Sequence, residues 1–241
     1  MTAYTVQGRQ VITPVEVRDA SQWSAQFLVP ADAAQTMIDA SGLEVARPFP
    51  GRAVVVLAFV DYRDSDLDAY HEVAITVVVR LDDASPRRGE GELMREFWAG
   101  KVGAYIHHLP VDQTFTLDAG RSIWGFPKFP AQIELRQVGG YSVCELRHDD
   151  EHVLTLAVRD RGWFPLPSAS PPSYAFLDGV LRRTEWAQTG ERPSARLGGA
   201  ELTLGSHPIA EELASLGLPK HALMSSSTPH MRATFEDAVA L

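Results

Sequence analysis

Gln132-Ile133-Glu134-Leu135-Arg136-Gln137-Val138-Gly139-Gly140-Tyr141-Ser142-Val143-Cys144-Glu145-Leu146-Arg147 alternates apolar and polar residues on both sides of a glycine pair. A period of two is that of a strand with one buried face, and Gly-Gly between two such runs forms a hairpin turn. Asp149-Asp150 then turns the chain into a third strand over residues 152–158, completing a meander. Working outward, residues 52–60 are β-branched and apolar, as in a strand buried on both faces, and Arg63-Asp64-Ser65-Asp66 reads as the turn that follows. Residues 71–80, 174–186 and 200–204 add further strands. Helical patterns are few: residues 30–38, 90–99, 112–123 with Asp112 as N-cap, and 208–216, where proline opens and Gly217 closes the helix. The proline-rich run 165–172 reads as a loop, with strands on both sides, and no internal repeat is present. The expectation is an α+β, mainly antiparallel β, fold: one domain over residues 1–241, a sheet or barrel with a few peripheral helices.

The formal net charge of −9 argues against nucleic acid and anionic membrane surfaces as partners. Arg87-Arg88 and Arg182-Arg183 are too short to form a basic surface. The single Cys144 excludes an intramolecular disulfide and reads as a small core residue. The N-terminus lacks a basic segment followed by an apolar run, and no apolar stretch reaches the roughly 20 residues of a membrane span. A soluble cytoplasmic protein is expected.

Only three lysines stand against nineteen arginines. Lys101 and Lys220 lie among glycine, proline and polar residues, the setting of solvated amines. Lys128 is different: Trp124-Gly125-Phe126-Pro127-Lys128-Phe129-Pro130 surrounds it with aromatic and ring-locked residues. Two readings are open. The stem can pack on Phe126 while the head reaches water, or the amine can be held dry. A dry ammonium loses hydration, which disfavours its charged form, and a neutral amine is a nucleophile toward carbonyl carbon. Glu72 likewise opens an apolar strand after Tyr70 and His71, either as an exposed strand-end carboxylate or as an acid pointing into a pocket. His107-His108 are neighbours, whose rings in a regular strand point to opposite faces. With no HExxH or CxxC spacing, no metal is expected. Gly89-Glu90-Gly91 lacks the GKS/T of a phosphate loop, and Ser225-Ser226-Ser227-Thr228 lacks the glycines of a hydrolase elbow and reads as a cap or turn.

Gly120-Arg121 followed by Phe126-Pro127-Lys128 resembles the acetoacetate decarboxylase family, in which a glycine–arginine pair precedes an aromatic-proline-lysine segment. Tyr70-His71-Glu72 resembles the family's Tyr-x-Glu. Residues 105–121 align with the family's approach to its lysine without gaps. Residues 209–213 with Ser225-Ser226-Ser227 resemble its C-terminal helix and serine-rich turn. The likeness runs from about Gln26 to near the C-terminus.

The resemblance implies a closed, cone-like β-barrel, usually oligomeric, with the lysine inside. It also implies a Schiff base formed by Lys128 with a small keto acid and no cofactor. Glu72 would position substrate or move protons, and Tyr70, Arg121, Phe126 and Phe129 would surround the substrate. Decarboxylation of a β-keto acid is the leading expectation; an aldol or dehydration reaction through the same imine, or a non-catalytic ligand-binding barrel, is the alternative. A lysine activated by desolvation or a neighbouring cation is already known from acetoacetate decarboxylase, so the resemblance supplies that mechanism. Three positions depart from the family. Phe129 stands where a second lysine follows the first, no acid lies within residues 54–59 near Leu57, and the N-terminal substrate-binding arginine has no clear counterpart beyond Arg18. Desolvation alone is therefore expected to keep the amine reactive, with Phe129 supplying apolar cover.

Overall fold

The computed structural model describes residues 1–80, 101–166 and 170–241, and the expected helix over 90–99 lies outside them. In chain order the strands and helices are β1 (Thr2–Val6), β2 (Arg9–Thr13), β3 (Val15–Pro30), α1 (Ala31–Ile38), β4 (Arg52–Ser65), β5 (Tyr70–Arg80) and β6 (Val102–Val111). Then come α2 (Thr114–Ala119), β7 (Lys128–Pro130), β8 (Gln132–Val138), β9 (Tyr141–His148), β10 (Glu151–Arg159) and β11 (Phe164–Pro165). The chain ends with β12 (Ser173–Leu177), β13 (Val180–Thr189), β14 (Ser194–Leu197), β15 (Ala200–Leu204), α3 (Pro208–Ser215) and β16 (Met224–Ala240).

Seven strands close into a barrel in the order β3-β4-β5-β6-β12-β13-β16, with β16 returning to pair with β3. Every pairing is antiparallel except β6 with β12, where Tyr105 lies opposite Tyr174. The barrel is thus mixed rather than purely antiparallel. β7 adds to β6 in parallel, setting Lys128 opposite Leu109. The meander stands as expected: β8, β9 and β10 form a four-stranded sheet with β15, turned at Gly139-Gly140 and Asp149-Asp150, all four with positive φ.

Differences from the sequence reading have local causes. β4 runs on through the expected turn at Arg63 and Asp64, whose charged side chains are exposed to solvent and pair across to Asp19 and Arg18 of β3. The run over 174–186 is a hairpin, broken at Asp178-Gly179. Ser225, Ser226 and Ser227 lie within β16 and pair with β3 and β14. Asp112 does not cap α2; Gln113 does, its side chain accepting the Thr116 N–H.

The two faces of the barrel sheet carry different cores. Phe27, Leu57, Phe59, Ile75 and Val77 face one way and pack with the meander, α1 and α3. Val15, Val17, Val60, Tyr62, Ile106 and Leu109 face the other and pack with α2, Trp124 and Phe126. Cys144 is a buried member of the first core, and burial pushes its thiol up. A bulge in β6 disturbs the alternation: Ile75 pairs with His108 but Thr76 with Ile106, leaving His107 as the extra residue. Two successive side chains there leave the sheet on one side. Among the described residues no helix is long and apolar enough to cross a membrane.

Candidate active site

Lys128 is delivered by a tight sequence of backbone contacts. α2 continues into a π-helical turn, Gly120–Trp124, which widens the helix by one residue. Gly125 then adopts φ 66°, the left-handed region that suits glycine, and stops the helix. A β-carbon on Gly125 would also strike Arg182 Nη1 at 2.5 Å. The Phe126 N–H returns to the Gly120 carbonyl, and the Lys128 N–H to that of Phe126. Arg121 Nη1 donates to the Lys128 carbonyl at 3.1 Å, so the guanidinium fastens the backbone of the lysine.

The lysine side chain is 3% exposed. Its stem crosses Gly120 so closely that a β-carbon there would lie 2.5 Å from Lys128 Cδ. Its Nζ lies 2.8 Å from Glu72 Oε2 and donates to Thr116 Oγ1 at 2.9 Å. It also stands 5.0 Å above the centre of the Tyr70 ring. The other oxygen of Glu72 accepts from the Tyr62 hydroxyl at 3.3 Å. Tyr62 and Tyr70 are cross-strand partners, stacked with centroids 4.3 Å apart. Burial, and then the charge of Glu72, pushes both phenols well up. Both therefore keep their protons at neutral pH, and Tyr62 donates its own to Glu72.

A cavity of about 350 Å³, its open mouth included, reaches this group. Tyr62, Tyr70, Glu72 and Lys128 line one part; Val15, Val17, Trp124, Phe126 and Phe235 supply apolar wall. Phe126 stacks on Trp124 at 5.6 Å, and the Trp124 indole N–H donates to the Glu236 carbonyl, fixing that wall. Among the described residues lining the cavity, Lys128 is the sole cation and Glu72 the sole carboxylate.

Of the sequence candidates, Lys128, Glu72, Tyr70 and Phe126 meet at the cavity. Two do not. Phe129 follows Lys128 in β7 and so faces the opposite side, edge-on to His108 and His148 and packed on the first core. Arg121 makes its backbone contact outside the lining. Nor is the amine surrounded by apolar groups alone, because Glu72 Oε2 lies 2.8 Å from it. Arg18 alternates with Val17 to the far face and pairs there with Asp64 and Asp66. Leu57 lies in the first core, away from the lysine. Lys220, expected to be solvated, donates to the Leu28 carbonyl. Tyr62, Thr116, Val15 and Val17 were not expected. Tyr62 would have followed from continuing β4 to its true turn, which sets it opposite Tyr70.

The chain resembles solved structures along nearly its whole length. One from structural studies of acetoacetate decarboxylase is 17% identical, with a TM-score of 0.73 over 96% of this chain and 90% of that one. Acetoacetate decarboxylase from Legionella pneumophila is 19% identical, with a TM-score of 0.72 over 97% of this chain and 90% of that one. The enduracididine biosynthesis enzyme MppR, solved with the condensation product of pyruvate and imidazole 4-carboxaldehyde, is 16% identical, with a TM-score of 0.67 over 95% and 90% of the respective chains. At these identities the likeness establishes the fold. A comparison with curated protein sequences gives no match. The family model for acetoacetate decarboxylase (ADC) matches residues 1–237, and the chain belongs to that family.

Proposed function

We propose that the protein is a Schiff-base enzyme acting on a small keto acid, with decarboxylation of a β-keto acid as its reaction. The observation that carries this reading is the buried Lys128 amine, 2.8 Å from Glu72 and open to a cavity. Glu72 accepts a proton from the ammonium, and the neutral amine attacks the ketone carbon. Glu72 returns that proton as the carbinolamine loses water, leaving an iminium. The bond to the carboxylate then breaks, CO2 departs, and its electron pair enters the iminium to give an enamine. A proton drawn from solvent adds at carbon and restores the iminium, and water then releases the ketone and the lysine. Ammonium and iminium carry the same charge, so Glu72 faces one cation throughout the resting and iminium states.

The lining favours decarboxylation over condensation. With Lys128 engaged as an imine, the described lining offers no second cation for the substrate carboxylate. A carboxylate held against Val15, Val17, Trp124 and Phe126 is poorly solvated and loses its charge on becoming CO2. Aldol or dehydration chemistry through the same imine is the second reading, supported by Glu72 as a carboxylate 2.8 Å from the nitrogen that would carry the imine.

Borohydride reduction with a panel of α- and β-keto acids tests the proposal, with CO2 release and mass spectrometry as readouts. Wild type is expected to gain a substrate adduct on Lys128 and to release CO2 from a β-keto acid. Lys128→Ala and Lys128→Arg are expected to do neither while remaining folded, since a guanidinium cannot be deprotonated to form an imine. Glu72→Gln is expected to slow adduct formation by about 10²-fold or more. Adducts with no CO2 would favour the second reading, and no Lys128 adduct with any panel member would remove the Schiff base.

A further inference from the structure

The β6 bulge brings His107 and His108 to the same side of the sheet, contrary to the opposite faces expected of neighbours in a strand. Their rings lie 4.2 Å apart, centroid to centroid, at 59°. Helix α3 presents Glu212 to both. His107 Nε2 lies 2.8 Å from Glu212 Oε1, and His108 Nε2 lies 2.8 Å from Oε2. One ligand atom from each residue falls within 4.8 Å of the others. Both ends of the cluster are fixed independently of it. The flanking Ile106 and Leu109 are buried in the second core, and α3 is anchored by Ile209 and Leu213 in the first.

We propose that His107, His108 and Glu212 form a binding site for a divalent first-row cation of the zinc type. Two imidazole nitrogens and one carboxylate oxygen are a donor set that suits zinc, with bonds of about 2.0–2.2 Å. Tetrahedral bonds of that length set ligand atoms roughly 3.3 Å apart, a spacing between the 2.8 Å of the two hydrogen-bonded pairs and the 4.8 Å that bounds the cluster. Each imidazole gives up its Nε2 proton role and carries its proton on Nδ1. All three residues are half-buried, which leaves the fourth position to water. The ion would clip strand β6 to helix α3. This inference is independent of the Schiff-base reading, because the cluster shares the face of Phe129, not that of the Lys128 amine.

The test uses the full chain, free of any affinity tag and stripped with chelator. Titration with Zn²⁺ by calorimetry is expected to give one ion per chain, and Co²⁺ to give the visible absorption of a tetrahedral site. Zn²⁺ is also expected to raise the melting temperature. His107→Ala and Glu212→Gln should each weaken binding by more than about 100-fold and abolish the rise, since even supporting groups around a metal are worth 10–100-fold. Lys128→Ala should bind as wild type does. Should one variant fail to fold, His108→Ala supplies the same comparison. Absence of a stoichiometric Co²⁺ spectrum would overturn the proposal. So would binding that persists in these variants, or that disappears instead in His148→Ala/His207→Ala, the neighbouring imidazole pair.

Discussion

Gly120 has no room for a β-carbon, and the atom in the way is the stem of the buried lysine. Its backbone is ordinary right-handed helix, so Gly120→Ala costs nothing in conformation. The added methyl must instead lift Lys128 away from Glu72 and Thr116. Gly120→Ala is expected to stay folded yet to trap keto acid on Lys128 at least tenfold more slowly than wild type; unchanged trapping would show that the stem has another path. Phe129 invites the opposite expectation. Adjacency to Lys128 suggests apolar cover for the amine, but one step along a strand reverses the face. Phe129→Ser is therefore expected to leave the pH profile of trapping unchanged. It should lower stability by about 2 kcal/mol, through loss of packing against His108, His148 and the first core. A shifted profile would return Phe129 to the site. The lysine and its acid were legible in the sequence because an amine among aromatics and an acid in an apolar strand are both out of place. Which neighbours share their face depends on the turn after β4 and on the bulge in β6, and neither leaves a composition signal.

At the level of elements, β4, β5 and the residue that follows β6 are joined by His71. Its Nδ1 lies 2.7 Å from Asp112 and its Nε2 3.5 Å from Asp61, which also pairs with Arg63. Hydrogen bonds to Asp112 and then Asp61 raise His71 from its ordinary 6.5 to about 9. A folded value above the unfolded one means that the charged form stabilises the fold. That contribution is complete below about pH 6.5 and is lost as pH rises through about 9. The difference in melting temperature between wild type and His71→Gln is expected to shrink across that window; a constant difference would show that the ring contributes no pH-dependent stability. The sequence reading treated Asp112 as a helix cap, because a lone aspartate before a helical run looks the same whether it caps or reaches back to the preceding strand.

For the whole molecule, closure is the dominant fact. β3 and β16 seal the barrel, and their register runs from Met224 opposite Gln26 to Phe235 opposite Val15. Neither strand stood out in the sequence, since both mix serine and charged residues with apolar ones. Their partners are distant in the chain, which no local pattern reports. β8, by contrast, was read with its true bounds, yet it lies at the edge of the four-stranded sheet. Strands without a free edge open only with the barrel, whereas an edge strand opens locally. Amide hydrogen exchange is expected to be slowest in the middle of β3, β4 and the first half of β16, and much faster along β8. Comparable rates in both would show that the barrel opens piecewise.

The β6 bulge has a genetic consequence. Ile106 and Leu109 face the lysine core, with two histidines between them where a regular strand allows one outward residue. Deletion of a single codon at position 107 restores perfect alternation, and everything from Leu109 to Lys128 stays in phase. The imidazole pair is thus one mutational step from loss, and equally one step from gain. The lysine, its glutamate and the closed barrel are not exposed to that step. A single-codon change can thus remove or add the second histidine while the lysine face of the same strand is left as it is.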